Sequence, residues 1–200
     1  MNEKFYNLSK EKQDRMINGA MKVFALNGYE KASTDVIIKE AGISKGLLFH
    51  YFGSKKNLYE FVVEYCGRYL SVELAAGISD AEKNIFERIR LAEEAKLRML
   101  KNYPYLDLLL ICVQSEIHPD AAECAKNWAD KVDSLYESLI NGAADEALLR
   151  GSLTLESARE IADMCISGYK SKYYRLGVEP VEVLNGLIPY LKLLKENFTR

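Results

Sequence analysis

Gly46, Leu47, His50 and Tyr51 lie within "SKGLLFHYF", residues 44–52. Placed at 100° per residue, Leu48, Phe49 and Phe52 share one side of a short helix, and those four residues occupy the opposite arc. A face that only meets water carries Lys and Glu. This one is small at its start and carries hydrogen-bonding rings further on, which suits a helix laid in the major groove of duplex DNA. Gly46 would let the helix approach the phosphate wall, and Leu47 can press on thymine methyl groups. His50 can bond a base edge or a phosphate, and Tyr51 can donate its hydroxyl to a phosphate. Ser44 and the first free amides of the helix form an anion site. Lys45 and Lys55 bracket the unit with positive charge, and Thr34 can grip the backbone from the preceding helix. Wheel geometry leaves a second reading open, in which another helix of the same chain covers Leu47, His50 and Tyr51.

The elements that must hold this face are legible from periodicity and punctuation. A first helix is predicted over 9–27, with Met16, Ile17, Ala20, Val23 and Phe24 inward and Asn27-Gly28 as its stop. Ser33 or Thr34 caps a second over 34–41, and Gly42 breaks it. Ser44 caps the third, over 45–52, before Gly53-Ser54 ends it and caps a fourth. Helix, a turn of about three residues with Gly, and helix again is the spacing of a helix-turn-helix. The fourth helix, 55–76, carries Leu58, Phe61, Val62, Tyr65, Tyr69 and Val72 on one stripe and runs beyond what the N-terminal unit needs. Further helices are predicted over 80–102, 104–116, 119–148, 154–176 and 180–198. The fold class is therefore all-α with about nine helices. A helix-turn-helix domain is assigned to residues 1–53 and a second helical domain to 54–200, with the helix from 54 to 76 linking them.

Bulk properties agree. The 200 residues are 48% apolar with four prolines, which fits a packed helical protein. No run approaches the ~20 apolar residues that cross a bilayer, and the N-terminal sequence lacks the apolar core of a signal peptide, so a cytoplasmic location is expected. Cys66, Cys112, Cys124 and Cys165 form no CxxC pair and read as reduced packing thiols. The net charge of −2 conceals an asymmetry: residues 1–60 carry ten Lys/Arg against seven Asp/Glu. A basic N-terminal quarter on an acidic body fits a nucleic-acid-facing module.

Catalysis finds little support. His50 and His118 are the two histidines, and each has a simpler role. "EIHPDAAEC" carries Glu116, His118, Asp120, Glu123 and Cys124. It reads as a helix start with Pro119 near the first position and acids at the positive end of the dipole, rather than as a metal cluster. No cofactor is implied.

Residues 22–62, "KVFALNGYEKASTDVIIKEAGISKGLLFHYFGSKKNLYEFV", resemble the N-terminal domain of the TetR-type (tetracycline-repressor-like) transcriptional regulators. The likeness covers the glycine after the first helix, the Ser-Thr start of the second, "AGISKG", and "LFHYF" followed two residues later by "SK". By position it implies DNA contacts from Thr34, Ser44, Lys45, Gly46, Leu47, His50, Tyr51 and Lys55. Leu47 stands where a small polar residue is common, and Phe49 where Tyr is frequent.

The resemblance further implies a repressor that binds a palindromic operator as a homodimer and is released by a small, largely apolar effector. In the family the last two helices pair with their mates as a four-helix bundle. Here that assigns a dimer surface to Ile161, Cys165, Ile166 and Gly168 with Leu184, Leu187, Ile188, Leu191 and Leu194; the alternative is that both stripes face only their own core. Residues 85–175 would enclose the effector, with Phe86, Met99, Tyr103, Tyr105, Leu109, Trp128, Tyr136 and Tyr169 as apolar lining and Gln114 as a polar hook. The competing classes are a helical ligand-binding or interaction protein without a DNA role, and a small helical enzyme.

Overall fold

The computed structural model describes residues 3–200. Among these the chain forms nine α-helices: α1 (Lys10–Lys31), α2 (Thr34–Ala41), α3 (Lys45–Phe52), α4 (Lys55–Gly77), α5 (Ile85–Met99), α6 (Leu106–Gln114), α7 (Ala122–Tyr136), α8 (Leu155–Arg175) and α9 (Pro180–Phe198). A 3-10 turn, Glu3–Asn7, precedes α1, and a π-helical turn, Glu137–Asn141, follows α7. The only β pairing among the described residues is one antiparallel bridge, Leu149 to Thr199. The all-α expectation holds, and the departures from it are local. α1 continues to Lys31 with a break at Gly28, whose φ of 67° and ψ of 178° are open to glycine at no steric cost. The helix expected over 119–148 begins at Ala122 and ends at Tyr136.

Packing divides the chain into two units, one of residues 1–69 and 102–131 and the other of 70–101 and 132–200. These packing units differ from the division of the sequence at residue 54.

In the first unit α1 is the central element, packed on α2 and α6. Met16, Ile17, Ala20 and Phe24 are buried on its inner side, Ile37 and Ala41 on α2, and Leu48 and Phe52 on α3. Gly19 sets how closely α1 and α2 approach: a methyl there would lie 2.9 Å from the Ala41 nitrogen. Any larger residue at 19 pushes α2 outward, and α3 with it.

In the second unit α5 lies against α9 and α8. Arg88 of α5 is fully buried, and carbonyl oxygens satisfy its guanidinium. Nη1 donates to Ser79 (2.9 Å) and Glu82 (2.6 Å), Nε to Leu139 (3.0 Å) and Ile140 (3.1 Å), and Nη2 to Leu139 (2.6 Å). The chain after α7 turns its carbonyls toward this cation, which explains the wider π turn and the early end of α7. Glu93, also buried, is held by Lys96 at 2.6 Å and Lys170 at 2.7 Å. Charge partners draw its carboxyl below the usual carboxylate range despite burial.

Candidate nucleic-acid interface

α3 is an eight-residue helix, too short to persist alone, and its ends are fixed by its neighbours in sequence. Gly42, at φ 61° and ψ 42°, closes α2 in the left-handed conformation and donates its N–H to the carbonyls of Ile38 and Lys39. Ser44 follows as the N-cap of α3: its Oγ accepts from the Leu47 N–H at 3.2 Å, worth about 1 kcal/mol. Since Oγ is the acceptor there, its own hydrogen stays available to donate to an anion. Leu48 and Phe52 anchor the helix to the core.

The opposite face is open. Ser44, Lys45, Gly46 and His50 are exposed, and Leu47 and Tyr51 half-buried. No atom lies within 4 Å of where a Cβ at Gly46 would stand, so nothing in the fold itself demands glycine there. His50 and Tyr51 pack edge to face with ring centroids 5.0 Å apart. Phe49 is half-buried on the core side of the arc, so its replacement of a tyrosine concerns packing. The Lys45 ammonium pairs with Asp35 of α2 at 3.0 Å, but both side chains are well over half exposed. Such a pair is worth little and screens readily, so Lys45 can turn to a phosphate at small cost. Thr34 begins α2 half-buried; the cap there is Ser33, whose side chain makes no capping bond.

Lys55 is placed differently from the sequence expectation. Its ammonium donates to the carbonyls of Tyr29 (2.8 Å), Glu30 (3.3 Å) and Ala32 (3.2 Å) and lies 4.4 Å from the centroid of the Tyr29 ring. The unsatisfied carbonyls at the end of α1 attract a cation there. Lys55 thus caps the carbonyl end of α1. Tyr29 is a hub that sequence reasoning missed. Its N–H donates to Glu116 Oε2 at 2.9 Å, its hydroxyl to Asp120 Oδ2 at 3.4 Å, and its ring meets that of His118 at 4.8 Å. The "EIHPDAAEC" stretch therefore spends its polar groups on the end of α1 and on its own turn, where Glu116 Oε1 accepts from His118 N–H at 2.9 Å. No group of residues suited to a metal ion occurs among the described residues.

The nine residues expected to line an effector pocket divide between the two packing units. Tyr103, Tyr105, Leu109, Gln114 and Trp128 belong to the first packing unit. There Tyr103 donates to Asp14 at 3.1 Å, Lys22 sits over the Tyr105 ring, Leu109 and Trp128 are buried, and Gln114 is exposed. Phe86, Met99, Tyr136 and Tyr169 belong to the second. Phe86 stacks on Phe198, Met99 is buried, and Lys96 and Arg159 flank the Tyr136 ring. A cleft of about 630 Å³ in that unit is lined instead by Asp133, Glu137, Asn141, Gly142, Leu155, Glu156, Arg159 and Asp163.

The α9 stripe assigned to a partner needs correction. Leu184, Leu187 and Leu191 are at most 1% exposed within the single chain, and Ile188 is also buried. α5 covers the inner face of α9, so these leucines are core. Leu194 is half-buried. On α8, Ile161, Cys165 and Ile166 are half-buried and Gly168 is exposed. Gly168 meets nothing within 4 Å, whereas a methyl at Gly186 would collide with the Tyr169 hydroxyl, so Gly186 is the glycine that leaves room for the Tyr169 side chain of α8. The large apolar side chains these helices leave exposed are Met164, Leu176, Val181, Tyr190 and Leu193.

A helix-turn-helix whose second helix turns an open, ring-bearing face outward defines a class of nucleic-acid-binding domain. Residues 16–62 match the family model described as bacterial regulatory proteins, tetR family. Among similar proteins is the biofilm operon icaADBC HTH-type negative transcriptional regulator IcaR of Staphylococcus aureus (strain Newman). It is 32% identical over 102 residues, 46% of this chain and 55% of that protein, so this chain spans about half the length of that relative. The HTH-type transcriptional repressor AcnR of Corynebacterium glutamicum is 24% identical over 165 residues, 80% of each chain. A TetR family regulator from Chloroflexus aurantiacus shares the fold with a TM-score of 0.68 at 20% identity, over 100% of this chain and 98% of the other. The ketosteroid transcriptional regulator KstR2 of Mycobacterium tuberculosis shares it with a TM-score of 0.65 at 18% identity, over 96% and 97%. The family and these relatives are transcriptional regulators, not enzymes.

Proposed function

We propose that the chain is a ligand-responsive DNA-binding regulator, a repressor that acts as a homodimer on a palindromic operator in the cytoplasm. The observation that carries this reading is the outward face of α3: Ser44, Lys45, Gly46, Leu47, His50 and Tyr51 are displayed together, and the fold has no use of its own for glycine at 46. Phosphate contacts from Ser44, Lys45 and Tyr51 fix the helix on the duplex, while Leu47 and His50 meet base edges. Residues 1–53 form the DNA-binding domain, and 54–200 carry the effector and the partner.

One module holds DNA weakly, and two on a two-fold axis address half-sites one helical turn or a multiple apart. The dimer surface we assign is the exposed side of α8 and α9, with Met164, Gly168, Tyr190 and Leu193 at its centre. No helix among the described residues is long and apolar enough to cross a membrane. Effector binding works by differential affinity for two conformers. A difference of about 1–3 kcal/mol lowers DNA affinity about 5- to 150-fold. Within the first unit, the Glu116–Tyr29 and Lys55–Tyr29 bonds tie α4 and the turn after α6 to the end of α1, which offers a path for a shift to reach the reading helix.

Selection of bound duplexes from a random pool tests the reading. Two-fold symmetric sites with half-sites about one turn apart are expected. A pool that emerges without sequence preference would refute it.

A further inference from the structure

Residues 3–7 show no helical period in the sequence, yet the 3-10 turn they form packs its Phe5 ring against the reading helix. The Gln13 side-chain amide donates to the carbonyls of Tyr6 at 3.2 Å and Leu8 at 2.8 Å, which ties the 3-10 turn to α1. This seats Phe5, fully buried, with its ring centroid 5.3 Å from Phe52 and 5.2 Å from Phe61. It also touches Tyr6 at 5.7 Å and Tyr51, the latter edge to face at 5.9 Å and 74°, and Tyr51 in turn meets His50. A continuous run of rings therefore leads from Phe61 of α4 through Phe5 to the two rings on the outward face.

We propose that Phe5 is a positioning residue for DNA recognition: the N-terminal turn holds Tyr51, and through it His50, in the arrangement that meets the duplex. This rests on the reading of α3 as the DNA-facing helix. The physical basis is preorganisation. Tyr51 stands in the last turn of a helix too short to order its own side chains, and an aromatic side chain fixed before binding loses less freedom on binding. Edge-to-face contact adds orientation to burial. Phe5 makes no contact with DNA in this account, and its effect passes through Tyr51.

The test uses the full chain with Phe5→Leu, Tyr51→Ala and both together. Leucine keeps most of the buried volume and removes the ring edge. In the protein without DNA, Phe5→Leu is expected to move the Tyr51 ring resonances toward those of a mobile tyrosine. Unchanged Tyr51 resonances would overturn the proposal. On a duplex selected by the wild-type protein from a random pool, Phe5→Leu is expected to weaken binding about 3- to 10-fold. In the Tyr51→Ala background the same change is expected to weaken it less than 2-fold. Equal losses in both backgrounds would mean that Phe5 supports folding alone, and the proposal fails. If the wild-type protein selects no duplex, the DNA reading fails on its own, and the Tyr51 resonances still decide whether Phe5 holds that ring. Should Phe5→Leu lower the helical signal, Phe5→Met of similar volume takes its place in both measurements.

Discussion

Gly46→Ala separates folding from recognition because the two effects have opposite signs. Gly46 is the second residue of α3, its φ is negative, and the methyl would meet nothing within 4 Å. Alanine gains up to about 1 kcal/mol over glycine in a helix, so the variant is expected to be as stable as wild type or slightly more so in urea. Against DNA the same methyl stands between the helix and the phosphate wall. Overfilling a close interface costs about 1–3 kcal/mol, which corresponds to about 5- to 150-fold weaker binding. Fluorescence anisotropy on a labelled selected duplex, alongside urea denaturation of the same sample, reads both quantities. Undiminished DNA affinity with raised stability would refute the placement of α3 against the duplex at this residue.

Other outcomes follow from the same contacts. Lys45→Met is expected to leave stability within about 0.5 kcal/mol, since its pair with Asp35 is exposed, and to lower the slope of log affinity against log salt by about 1. Lys55→Met is expected to act on folding: loss of a cation from three carbonyls at the end of α1 should destabilise the first unit by about 1–3 kcal/mol in denaturant. Arg88→Met leaves the carbonyls of Ser79, Glu82, Leu139 and Ile140 without their donor, and about 1–3 kcal/mol of stability should go with it. The Glu87 carboxyl, hydrogen-bonded to Arg90 and Lys195, is held down at about 2. A depressed carboxylate stabilises the fold above its unfolded pKa of about 4.3. That contribution, about 3 kcal/mol at most, should fade as pH falls from about 4.5 toward 2, and Glu87→Gln should flatten the acid limb.

The helix-turn-helix was legible because its signals are local. Gly42, Ser44 and the spacing of Leu48 and Phe52 each act within a turn of themselves, and the structure places them at a helix stop, a cap and a core. Partners distant in sequence were not legible. Arg88 reads as one more surface arginine until Leu139 and Ile140, about fifty residues on, turn their carbonyls to it. Phe5 sits in a five-residue turn with no period, and Lys55 is as basic as a phosphate ligand while serving the end of α1. On α9 the leucine stripe was visible, but periodicity shows only that something covers a stripe. Here α5 covers it, and the exposed side falls to Tyr190 and Leu193.

The most direct measurement is competition between a selected palindromic duplex and random duplex of equal length, for the purified protein and for its His50→Ala, Tyr51→Ala double variant, at about 150 mM salt. The account predicts a preference of at least about 10³-fold for the palindrome, largely erased in a variant that still folds. Equal affinity of the wild-type protein for both duplexes, or an intact preference in the variant, would contradict it.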